Sequence, residues 1–255
     1  VAPAYSLWLG ASKGKFNASA SFSYYSHNRH MKELGNYSYA QNDRKVTNLS
    51  RTSDYYFYLA GALTATYDFS KKSFLSLGFR INDEKSYLKT RVASETSENG
   101  EPAVSSSSYI HTRSPFAGPN YGFVGYYRLK TDDRGSKLEV AADYFTSQSR
   151  SNTDYLFDAR QNESQTSDGV HFRSDYQHVF NSSHRLSAGY DFFRSKLVDD
   201  LDFYEQSNRF EYREMVHSVY ASWRAQWSDA FSTSAGLRME NTDSDGHLID
   251  TGERT

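Results

Sequence analysis

The chain has 255 residues, 29 Lys and Arg against 31 Asp and Glu, no Cys and a mean hydropathy of −0.78. That balance leaves no nucleic-acid footprint, and the absence of Cys removes disulfides and thiol chemistry. No apolar run approaches the roughly 18 residues of a membrane-spanning helix.

Taken in chain order, the sequence alternates. Strands are predicted near Tyr5–Ala11, Lys15–Tyr25, Tyr55–Ser70, Ser73–Asn82, Asn120–Lys130, Lys137–Phe145, Gly169–Phe180, Arg185–Lys196, His217–Trp227 and Phe231–Glu240, about ten in all. Between Tyr55 and Ser70, one set of alternate residues is Phe57, Leu59, Gly61, Leu63, Ala65, Tyr67 and Phe69, apolar in the middle and aromatic at both limits. The other set contains Tyr58, Ala60, Thr64, Thr66 and Asp68. A soluble sandwich has no reason to place rings at both limits of its buried face, whereas a bilayer has an interface at each. From Phe57 to Tyr67 the chain advances about ten residues, which at about 3.3 Å each and a tilt near 45° covers about 24 Å of membrane thickness. A spanning barrel also explains the low mean hydropathy, since half of each strand faces a polar interior. The aromatic content of 16% suits interfacial girdles, and only 4 Pro interrupt the extended chain.

The connections are of two kinds. Tight turns are predicted at Ser12–Lys15, Ser70–Ser73, Thr131–Ser136, Asn181–His184 and Ser228–Ala230. Long polar loops are predicted at roughly His27–Asp54, Val92–Pro119, Ser151–Ser167 and Val198–Arg209. Short turns on one side and long connections on the other are the pattern of a bacterial outer-membrane barrel with periplasmic turns. The predicted fold is therefore all-β, an antiparallel transmembrane barrel segment, with residues 1–255 forming part of one barrel domain.

The segments "SKGKFNASASFSYYSHNRH" (12–30), "LTATYDFSKKSFLSLGFR" (63–80), "HRLSAGYDF" (184–192) and "FSTSAGLRMENTDSDG" (231–246) resemble successive hairpins of the TonB-dependent outer-membrane receptors, within the outer-membrane β-barrel family. The resemblance extends in order over almost the whole chain. It implies a plug domain and remaining barrel strands outside this sequence, outer-membrane lipid around the barrel and an energy-coupling TonB-like protein. It also implies a nutrient ligand: a glycan, a metal chelate or a peptide. A passive porin or a surface adhesin on the same scaffold is the alternative.

Site residues follow from the faces. Arg80, Arg128, Glu139, Asp143, Arg173, Asp175, Asp191, Arg224, Arg238 and Glu240 fall on the polar set and are expected to face the lumen or a plug. Tyr109, His111, Arg113 and Phe116, which combine rings and charge in a long connection, are candidates for ligand contact. "NTDSDGHLIDTGE" (241–253) imitates a calcium loop, but its twelfth position is Gly252 and a strand precedes it. It reads as a polar outer loop. No metal site, cofactor or enzymatic activity is expected, because no nucleophile, P-loop or metal-ligand spacing stands out.

Overall fold

The computed structural model describes residues 3–39, 44–99, 101–114, 120–155, 160–203 and 206–249. They form eleven strands: β1 (Ala4–Lys13), β2 (Phe16–Tyr39), β3 (Arg44–Ser70), β4 (Ser73–Ser97), β5 (Val104–Ser114), β6 (Asn120–Lys130), β7 (Lys137–Tyr155), β8 (Arg160–Val179), β9 (His184–Phe203), β10 (Gln206–Gln226) and β11 (Ser232–Leu248). All belong to one antiparallel sheet in which each strand pairs with its successor in space. β5 and β6 share one place, since both lie between β4 and β7; the eleven strands therefore occupy ten positions.

The tight turns stand where the sequence puts them. The long polar connections differ: they continue the ladder. β2 and β3 remain paired from Phe16↔Tyr67 out to Tyr39↔Arg44, and β7 and β8 out to Asp154↔Arg160. The calcium-like stretch is likewise strand, with Asn241↔His217 and Asp245↔Arg213 paired, while residues 250–255 lie outside the described residues. Ser, Thr, Asn and Tyr satisfy a ladder in water without any apolar alternation, so hydrophobic periodicity does not reveal these extensions.

The apolar sets of neighbouring strands align on one face. A single register row runs Ala20↔Leu63↔Phe79↔Phe123↔Tyr144↔Val170. This face has nothing over it: Leu63 is 57% exposed, Leu77 55%, Leu237 83% and Met239 74%. Among the described residues, only Val179 and Ala225 are buried apolar side chains. A water-soluble chain of this length would bury a core; here the hydrophobic effect is satisfied only if lipid covers the sheet.

The far limit of the apolar set moves steadily along the sheet. It falls at Tyr24 before Ser26 on β2, Ile81 before Asp83 on β4, Val170 before Asp168 on β8, Phe192 before Arg194 on β9, and Met239 before Asn241 on β11. Register rows carry Met239 back through Val219, Tyr190, Ser174, Val140, Tyr127, Leu75 and Tyr67 to Phe16, which is eight residues short of Tyr24. The band thus drifts eight residues over eight strand steps. At about 3.3 Å per residue and about 4.8 Å per step, its slope gives a strand tilt of about 35°. Outer-membrane barrels tilt their strands by about 35–45°.

The turn end is laced together. Asp132 Oδ1 accepts from the backbone N–H of Arg134 and of Ser136, both at 2.9 Å, and Ser136 Oγ donates to Asp132 Oδ2 at 2.7 Å. The buried Ser136 hydroxyl also accepts from Val179 N–H at 2.8 Å, and Arg134 donates to the Phe180 carbonyl at 3.2 Å, so the β6–β7 turn clasps the β8–β9 turn. Gly135 makes this possible with φ of +101°, a conformation that an L side chain resists. Lys72 pairs with Asp133 at 2.8 Å, joining the β3–β4 turn to the same cluster. The turn hydrogen bonds hold the Asp132 carboxyl down at about 2, below its usual range.

Candidate functional site

The polar face is the other side of the same strands. Register brings Arg128 opposite Glu139, Arg173 opposite Asp191, Tyr220 opposite Arg238, and Ser218 opposite Glu240. The charges on it are largely matched. Arg128 donates to Glu139 Oε1 from Nε at 2.9 Å and from a terminal nitrogen at 2.8 Å, Lys137 holds Oε2 at 2.6 Å, and the Tyr126 hydroxyl donates to Oε1. The Arg128 guanidinium also lies over the rings of Phe74 and Tyr126, at 5.4 and 5.7 Å. His171 bridges two carboxylates, Asp143 at 3.2 Å and Asp191 at 3.1 Å. Arg173 pairs with Asp175 at 2.6 Å, and Arg238 binds both Glu240 and the buried Ser218 hydroxyl at 2.9 Å.

Large side chains on this face lie across glycines of the next strand. Arg80 is opposite Gly122, where an added Cβ would come within 2.7 Å of its Nε. Tyr220 covers Gly189 in the same way, at 2.5 Å from an added Cβ. Both side chains thus lie flat against the sheet. Among the described residues, neither Arg80 nor Arg224 has an ion-pair or hydrogen-bond partner in the sheet, and the residue directly opposite Arg224 on β9 is another cation, Arg185.

The structure thus puts all ten residues expected at the lumen or plug on one face. It gathers Arg128, Arg173, Asp175, Arg238 and Glu240 into ion pairs and leaves Arg80 and Arg224 outside them. The ligand candidates stand differently. Tyr109, His111 and Arg113 belong to β5, in register with Arg91, Lys89 and Tyr87, so they are strand positions and not a loop; Phe116 lies outside the described residues. The groups that the sequence alone does not single out are Tyr126 and Lys137 around Glu139, and His171 between Asp143 and Asp191. Their signal is cross-strand register, which is invisible until pairing is known.

Residues 129–255 match the family model described as "Outer membrane protein beta-barrel family". The protein resides in the bacterial outer membrane. Among solved structures, this outer-membrane chain is similar to a Pseudomonas aeruginosa FadL homologue at 10% identity, over 91% of this chain and 70% of that one, with a TM-score of 0.34. It is similar to the beta domain of the Bordetella autotransporter Brka at 9% identity, over 97% of this chain and 93% of that one, with a TM-score of 0.24. No curated protein sequence matches the chain.

Proposed function

We propose that this chain is the barrel portion of an energy-coupled outer-membrane receptor, which binds a glycan, metal chelate or peptide and imports it through the lumen. The tight turns face the periplasm and the paired extensions of β2, β3, β4, β7, β8, β9 and β10 stand outside the cell. Remaining strands complete the wall beyond β1 and β11, since a bilayer does not tolerate an open sheet edge. The observation that carries the reading is the polar face. Most of its charges are tied within the wall, while among the described residues Arg80, lying across Gly122, and the opposed pair Arg185 and Arg224 have no ion-pair partner in the sheet. Such groups suit carboxylates of a plug, because a forked donor binds them in a fixed geometry. A bare pore would leave these groups in water, where pairing contributes little.

The test measures ligand binding and ligand accumulation separately, in cells with and without the inner-membrane motor. Binding that persists while accumulation stops fits an energy-coupled receptor. Accumulation that continues without the motor, together with steady conductance of the full-length protein in planar bilayers, identifies a passive pore and defeats the proposal.

A further inference from the structure

Beyond the apolar band, the lipid-side face carries charge in two unlike ways. On β8 to β11 the two signs are mixed and matched: Lys196 pairs with Glu211 at 3.2 Å, Arg213 with the same carboxylate, and Arg209 with Asp200 at 3.4 Å. On β2 to β4 the same face is basic. Above Ser26, Phe57 and Asp83 it presents Lys32, Lys45, Arg51, Lys85, Lys89 and Arg91, with Glu95 as the acid.

One row gathers three positive charges. Lys32 is opposite Arg51, and Arg51 is opposite Arg91, so three cations stand side by side on three strands. Like charges directly opposite on a sheet repel, and a bound anion converts that repulsion into attraction. Lys32, Arg51, Lys85 and Arg91 are exposed. Arg51 and Arg91 also line a shallow depression of about 590 Å³ with Leu49, Ala93 and the Ser107 hydroxyl. Below them Tyr55 and Tyr87 form a ring pair at 5.8 Å, and Lys85 is opposite Phe57.

Position identifies the occupant. Lys85 and Arg91 lie four and ten residues past Ile81, the last apolar residue of β4 on this face. At about 3.3 Å per residue and a tilt of about 35°, they stand about 11 and 27 Å beyond the hydrocarbon. With the extensions outside, that interval is filled by the phosphorylated sugars of the outer-leaflet glycolipid. The apolar row beneath is then continuous with the glycolipid's acyl chains. We infer that the outward face of β2, β3 and β4 is a docking surface for a phosphate-bearing glycolipid of the outer leaflet, with Lys32, Arg51 and Arg91 binding its phosphates. This inference uses the proposed orientation of the sheet but not the import function.

The experiment titrates the full-length protein in detergent with a bis-phosphorylated lipid A carrying its inner core. The same glycolipid after enzymatic dephosphorylation, and inorganic phosphate, are the comparison ligands. The variant K32Q/R51Q/R91Q should bind the phosphorylated glycolipid on the order of 30-fold more weakly than the native protein, each cation contributing a few-fold. The dephosphorylated glycolipid should lose a similar factor on the native protein. R209Q/R213Q, on the mixed-charge side, should stay within about twofold. Undiminished binding by the triple variant, or equal binding of the two glycolipids, overturns the inference; so does inorganic phosphate binding as tightly as the glycolipid, which would identify a site for a free anion. If the triple variant does not fold, R91Q and the dephosphorylated ligand decide the matter. Orientation is read separately from a label at Glu101 on intact cells. A shielded label removes the surface from the outer leaflet without altering the binding constants, and neither readout depends on the motor.

Discussion

The two ends of the sheet are built by different means. At the turn end, side chains close short connections: Asp132 and Ser136 order the β6–β7 turn, Asn181 accepts from the Ser183 and His184 amides, and Lys15 reaches the Phe69 carbonyl at 2.8 Å. At the other end the strands run on. β3 is 27 residues long and β4 is 25, far more than the roughly 9–11 residues that a tilted strand needs to span a bilayer. The turn end gains its order from local hydrogen bonds whose loss exposes buried polar groups. The extended end gains it from ladders that water solvates on both faces, which leaves its side chains free to vary for recognition.

The largest effect is expected at neither end but in the band between them. Leu63 sits in the middle of the apolar row, and Thr64 faces the opposite way. Leu63→Arg should cost about 2–4 kcal/mol and Thr64→Arg about 0–1 kcal/mol in reversible unfolding from lipid vesicles, because only the first puts a charge in hydrocarbon. Equal costs would remove the assignment of faces. Next in size is Ser136→Ala at the turn end. It leaves the buried Val179 N–H without its acceptor and takes one donor from Asp132, for an expected loss of about 1–3 kcal/mol by the same assay.

A smaller effect follows from pH. Because the folded turn holds the Asp132 carboxyl at about 2, below its unfolded value, its contribution is complete above the unfolded pKa and is lost as pH falls through about 2. The urea midpoint of the native protein should exceed that of Asp132→Asn at pH 6, and the two should converge towards pH 2. A constant difference would show that the carboxylate does not support the turn. The least disturbance is expected at the far end. A short polar insertion between Glu98 and Glu101 should change stability by less than about 0.5 kcal/mol, whereas the same insertion at Gly135 should prevent folding into the membrane form. Comparable damage at both sites would erase the contrast between the ends.

Much of this was legible in the sequence, for physical reasons that also mark where legibility ended. Leu63 and Thr64 could be assigned to opposite faces because lipid and water on the two sides impose period two. The turns at Ser12–Lys15 and Asn181–His184 could be placed because tight reversals require small and polar residues. The extensions were not legible: "SSSSYIHT" (105–112) pairs with β4 and β7 without an apolar face to advertise it. Within them, Lys85, Tyr87, Lys89 and Arg91 do alternate with other residues, and that period was a usable signal. Ion pairs such as Arg128 with Glu139 needed the register, since the two lie on different strands.

The central claim is that the apolar band crosses the sheet at a tilt of about 35° in contact with lipid, and depth measurement tests it most directly. With no native Cys, single cysteines can carry spin labels at Ala20, Ala235 and Asp243 of the full-length protein in vesicles. Ala20 and Asp243 share a register row, whereas Ala235 lies eight residues from Asp243 on β11. The tilted band predicts that labels at Ala20 and Ala235 lie at similar depth near the membrane centre, accessible to oxygen and shielded from a water-soluble nickel chelate. It places Asp243 about 22 Å away along the normal, in water. Equal depth for Ala20 and Asp243, or nickel access at all three sites, would contradict it.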